Sequence, residues 1–179
     1  MKNKFWFLPA GIILIEILSF LANSQPWLNT TMFFVLMVLC LALTVYRLEY
    51  GLYVIALDLV IDSFGYLFSA FPDTINFSIR IGFFLIVMAV WLFRAIQSRR
   101  ISFLNSRYFR WYSALAIMAV VGVLIGSGNG WANVFFDFNA WFFFLLVFPV
   151  YDAFENDSQA KFRKLATVAT VGLAISIIQ

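Results

Sequence analysis

The sequence predicts an all-α fold: a polytopic transmembrane helical bundle of six spans plus a truncated seventh, with its amino terminus in the cytoplasm. Three observations predict it. The chain of 179 residues is 64% hydrophobic and 12% charged, whereas a soluble domain is roughly half apolar and about a quarter charged. A lipid bilayer must therefore solvate much of its surface. The apolar residues fall in long runs separated by short polar breaks, and 23 Phe, 6 Trp and 7 Tyr suit helices that meet lipid and cross two interfaces. The third observation is the segment Arg94–Arg110. It holds Arg94, Arg99, Arg100, Arg107 and Arg110, no acidic residue, and an apolar run on each side. Short basic loops stay on the cytoplasmic side of a membrane, so this one gives every other loop its side.

The elements follow in order. Lys2 and Lys4 precede an apolar run from Phe5 to Leu21, the first span, which contains Pro9 and Glu16. Ala22-Asn23-Ser24 would also suit signal-peptide cleavage, and either reading leaves residue 25 outside. Asn23–Thr30 is polar and uncharged, with Gln25-Pro26 as a breaker, and reads as an external turn. Thr31–Tyr46 is the second span, Arg47-Leu48-Glu49 a cytoplasmic turn, and Tyr50–Phe71 the third span, ended by Pro72-Asp73. Ile79–Phe93 is the fourth span and runs into the basic segment. There Ile101, Leu104, Tyr108 and Trp111 recur at helical spacing. A short interfacial helix with its arginines toward anionic lipid fits this pattern, and so does a plain solvated loop.

Trp111–Ile125 is the fifth span. Gly126-Ser127-Gly128-Asn129-Gly130 is an external turn or a flexible break; it lacks the Lys-Ser/Thr ending and the preceding strand of a phosphate-binding loop. Trp131–Tyr151 is the sixth span, wholly crossing or partly re-entrant. A polar stretch, Asp152–Lys164, closes on Lys161, Arg163 and Lys164, and Leu165–Gln179 opens the seventh. That last run stops with no flanking charge or aromatic anchor. Residues 1–179 are therefore expected to be a single transmembrane domain, the amino-terminal part of a longer protein. In this threading eleven of the twelve basic residues lie on the cytoplasmic side, and only Arg80 lies outside.

The composition excludes several functions. With no histidine the chain lacks the commonest general base and zinc ligand. Cys40 is the single cysteine and reads as a small buried hydrophobe. No Ser/His/Asp set, CxxC pair or metal-ligand cluster appears, so catalytic residues, metal and cofactor are all expected to be absent. The net charge of +3 follows from topology and does not argue for nucleic acid.

Four ionisable residues lie within spans: Glu16, Asp58, Asp62 and Arg80. Each is costly in lipid and should face other helices or a wet cavity. Asp58, Asp62, Gly65 and Ser69 are spaced to form one helical stripe. Such a stripe could carry protons or cations, or form a polar seam between helices; the seam is the plainer reading. Counting about 1.5 Å per residue, Glu16 matches Arg80 in depth better than Asp62 does. Arg80 could be a structural ion pair or could hold a phosphate, whose oxygens its fork fits. The run Phe135–Phe144 places Asp137, Asn139 and Trp141 among many rings near the outer interface. It could bind sugar, or it could be an aromatic belt.

Three segments carry a family resemblance: RLEYGLYVIALDLVIDSFGYLFSAF at Arg47–Phe71, SIRIGFFLIVMAVWLFRAI at Ser78–Ile96, and NVFFDFNAWFFFLLVFPVYDA at Asn133–Ala153. With the many-helix layout they resemble the amino-terminal half of bacterial O-antigen ligase and O-antigen polymerase-like membrane proteins. The resemblance implies a glycosyltransferase of the cytoplasmic membrane that moves glycan from an undecaprenyl-diphosphate carrier to an acceptor at the outer face, with no nucleotide-sugar donor or required metal. Family members place their key arginines and a histidine in a large external loop of the carboxy-terminal half. This sequence has neither that loop nor a histidine, so no catalytic residue carries over and the chain alone is expected to be inactive. Arg80 is the one outer-side cation available for a diphosphate. A small ion-coupled transporter and a non-catalytic membrane scaffold are the alternatives.

Overall fold

The computed structural model describes residues 25–61, 69–70, 77–129, 141–155 and 158–176. The expected first span with Glu16, together with Asp62, Gly65, Asp137 and Asn139, lies outside the described residues. Six α-helices are described: α1 (Pro26–Tyr46), α2 (Leu48–Ile61), α3 (Ile79–Ser98), α4 (Phe109–Gly126), α5 (Val147–Phe154) and α6 (Ser158–Ser176). Among the described residues the only extended pairing is a short antiparallel one, Ser69–Ala70 (β1) with Phe77–Ser78 (β2), in which Ser69 faces Ser78 and Ala70 faces Phe77. The all-α class holds.

The count of six spans plus a seventh does not match these six helices. Three of them are long and apolar enough to cross a membrane: α1 from Trp27, α3 and α4. Helix α2 has 14 described residues, or about 21 Å at 1.5 Å per residue, against a hydrocarbon core of about 30 Å. Helix α5 has 8. Helix α6 has 19, but Lys161, Arg163 and Lys164 occupy its first half.

Several boundaries differ from expectation for identifiable reasons. Helix α1 starts at Pro26, where a turn was expected. Proline at the first helical position loses no hydrogen bond and has its φ already set, so it begins a helix as readily as it breaks one. Arg47 alone, in extended conformation, separates α1 from α2. The third span was expected to run to Phe71, but Ser69 and Ala70 are extended. Pro72 disfavours helical backbone just before it. The expected seventh span is a helix that starts seven residues earlier, at Ser158, which draws Lys161 into it.

Helix α3 is the centre of the packing. Ile79, Phe83, Val87, Trp91 and Ala95 recur every fourth residue and are all buried, which is the spacing of one helix face. They meet Phe33 and Cys40 of α1 and Leu48, Leu52 and Ile55 of α2 in a single core. Helix α2 is further covered by α6, its most extensive partner. Two glycines let backbones approach there. A Cβ on Gly51 would collide with Thr44 of α1 and lie 2.9 Å from Val87 Cγ2 of α3, and one on Gly172 of α6 would lie 3.0 Å from Val60 Cγ1 of α2.

Helix α3 ends in a glycine-like turn built on an arginine. Arg99 has φ 50°, its N–H donates to Ile96 O, and the Arg100 N–H donates to Ala95 O, both at 3.3 Å. This is the Schellman arrangement of a helix end. The chain then makes a 3₁₀ turn, Ser102–Asn105, and not the continuous interfacial helix. The anchor is Phe103, 2% exposed, with ring centroids 5.2–5.9 Å from Phe109, Tyr112, Phe148 and Tyr151. Leu104, Tyr108 and Trp111, three of the four residues of the expected stripe, are exposed. Ahead of α5, Phe143–Leu146 forms another 3₁₀ turn. Pro149 has no N–H to give to Leu145 O, and its ring crowds that carbonyl, which favours a tightened turn there.

Candidate functional site

Charged groups gather at two ends of the α2–α3 pair. The helices run antiparallel, so Asp58 of α2 lies beside Arg80 of α3. Arg80 Nε donates to Asp58 Oδ2 at 3.2 Å, and the Asp58 side chain is only 6% exposed. Among the described residues Asp58 is a carboxylate the structure brings to Arg80; Glu16, which sequence depth favoured, lies outside them. Ser69, the last residue of the expected stripe, is extended, and Asp62 and Gly65 lie outside the described residues. Trp141, expected in a sugar site, stacks on Phe144 with centroids 4.9 Å apart. It lines a groove of about 210 Å³ against α4 whose walls are apolar apart from the Tyr112 phenol.

The opposite end is richer and was not anticipated. There the C-termini of α1, α3 and α5 meet the N-termini of α2 and α6. Each helix C-terminus carries orphan carbonyls and a partial negative charge, and the sequence supplies cations to them. Arg94 Nη2 donates to Val45 O at 2.6 Å and to Thr44 O at 3.3 Å, closing α1. Lys161 Nζ donates to Ala153 O at 2.7 Å, closing α5, and pairs with Glu49 Oε2 at 3.0 Å. Glu49 also takes Arg47 at 3.3 Å. Its own burial pushes the carboxyl up, but the hydrogen bonds and charges of Lys161 and Arg47 outweigh this and hold it below the ordinary carboxylate range.

Asp152 links three elements. Its Oδ2 accepts the Trp91 indole N–H at 2.7 Å and its Oδ1 accepts the Ser102 backbone N–H at 3.2 Å, so it ties α5 to α3 and to the 3₁₀ turn. Glu155 takes Arg100 at 3.2 Å and the Ser102 hydroxyl at 3.1 Å. These groups surround a cavity of about 560 Å³. Among the described residues no group of His, Cys, Asp and Glu could hold a metal ion. The arrangement can clamp helix ends and attract an anion. Sequence reading assigned no site role to Trp91 or Asp152, and Arg94 figured there only as a topology charge. Trp91 was the available signal, since an indole N–H deep in an apolar run needs an acceptor when buried.

Comparison with family models, with curated proteins and with solved structures finds no match to this chain.

Proposed function

We propose that this chain is the membrane-embedded amino-terminal part of a glycan transferase acting on undecaprenyl-diphosphate-linked glycan at the outer face of the cytoplasmic membrane. One observation supports the reading most. The three segments that resemble O-antigen ligases and polymerases pack against one another. The first two meet through α2 and α3 and through the Asp58–Arg80 pair. The third joins them through Phe84–Phe143, Trp91–Phe148 and Trp91–Asp152. In this reading the chain is the scaffold half, with Arg80 on the outer side and the basic end in the cytoplasm. The ion-coupled transport alternative rests on Asp58 and Asp62; Asp58 is engaged by an arginine, and Asp62 lies outside the described residues.

Deleting the gene in its own cell tests the proposal. Undecaprenyl-diphosphate-linked glycan should accumulate in the membrane while surface polymer is lost. A lipid-linked glycan pool identical to that of the parent strain would refute it.

A further inference from the structure

The charges around the cavity at the basic end are unevenly matched. Glu49 is shared by Arg47 and Lys161, and Glu155 is engaged by Arg100. Asp152 is satisfied by two neutral donors, the Trp91 indole and the Ser102 amide. Arg94, half-buried in the same wall, has no carboxylate partner among the described residues. Its Nη2 is pinned by the carbonyls of Thr44 and Val45. A guanidinium carries five N–H donors in a rigid fork, so those on Nε and Nη1 remain for a ligand. The fork is thus held in place from behind by the end of α1.

We propose that this cavity binds the phosphate group of a net-anionic ligand. Arg94 is its principal ligand, and Arg47 and Arg100 supply attraction from the rim. Phosphate fits because a fixed guanidinium fork matches two of its oxygens, and because four cations line the cavity against three carboxylates. Asp152 adds selectivity: a hydroxyl on the same ligand could donate to it. The shared chemistry could come from an anionic phospholipid headgroup or from a soluble phosphate. A polar cavity where spanning helices end is a place for a headgroup. The proposal concerns the opposite end from Arg80 and does not rest on the glycan-transfer reading.

The test is thermal unfolding of the purified chain in a neutral detergent. Three probes are titrated: short-chain phosphatidylglycerol, phosphatidylcholine of equal chain length, and inorganic phosphate. Phosphatidylglycerol should raise the Tm saturably and phosphatidylcholine should not. Equal protection by inorganic phosphate assigns the site to a free phosphate; protection by phosphatidylglycerol alone assigns it to lipid. Arg94→Gln should weaken binding about tenfold, the worth of one charge-assisted contact, with Arg94→Lys intermediate. If the Arg94 variants fail to fold, Arg100→Gln, altered at the exposed rim, should still weaken binding severalfold. Equal protection by both lipids, protection by none of the three probes, or unchanged affinity in every variant that folds would overturn the proposal.

Discussion

Single residues decide how charge is accommodated here. Asp58 is almost fully buried and Arg80 is partly so. Removing one member of such a pair takes a counter-charge from the other, which costs about 3–5 kcal/mol where the pair is fully buried, whereas replacing both with apolar residues of similar size is often neutral. Arg80→Leu and Asp58→Leu should therefore each destabilise the protein strongly, and the double variant should recover most of the loss. Unfolding of all four proteins in one detergent checks this, and simple additivity of the two losses would contradict the pairing. Glu49 gives a pH dependence. Its folded-state carboxyl lies below the ordinary value of 4.5. The stability it contributes is present above that value and is lost as pH falls toward the folded-state value. Glu49→Gln should lower the Tm at neutral pH and flatten its fall under acid. An unchanged acid limb would place that dependence elsewhere.

The elements show what the sequence could and could not convey. Helices α1, α3 and α4 were legible because long apolar runs admit few other structures in lipid. Their ends were less so. Pro26 was read as a breaker and starts α1, because proline's effect depends on whether its missing N–H would have been used. The basic segment hid its aromatic anchor. Phe103 lies off the expected stripe of Ile101, Leu104, Tyr108 and Trp111, yet it plugs the aromatic cluster of α4 and α5. A periodicity count over so short a segment cannot tell a surface stripe from a single anchor. The Asp58–Arg80 pair was equally hidden. Both residues were singled out, but pairing them needs the antiparallel register of α2 and α3. The glycines separate by context. Gly51→Ala should cost about 1–3 kcal/mol, as overpacking does, because Thr44 and Val87 crowd it. Gly122→Ala, with nothing within 4 Å, should be neutral or raise stability by up to about 1 kcal/mol through helix propensity. Unfolding midpoints measured side by side decide both, and equal effects would contradict the close crossing at Gly51.

For the whole molecule, α4 carries the argument for a membrane. It has 18 residues, none buried inside the fold. An apolar helix with no residue buried by its own chain needs lipid or a partner against it. At 1.5 Å per residue it is about 27 Å long, close to the hydrocarbon thickness. It leads away from the basic end, so Arg99 and Gly128 flank opposite ends of the described bundle. In the proposed threading the cluster at the basic end faces the side where positive loops are retained, and the Asp58–Arg80 pair faces the other surface.

The most direct test of this threading is labelling from each side with a membrane-impermeant maleimide. Arg99→Cys and Gly128→Cys serve as reporters, and the native Cys40 is buried and leaves a low background. The account predicts that Gly128→Cys labels in right-side-out vesicles and Arg99→Cys only in inside-out ones. Labelling of both cysteines from the same side would contradict it.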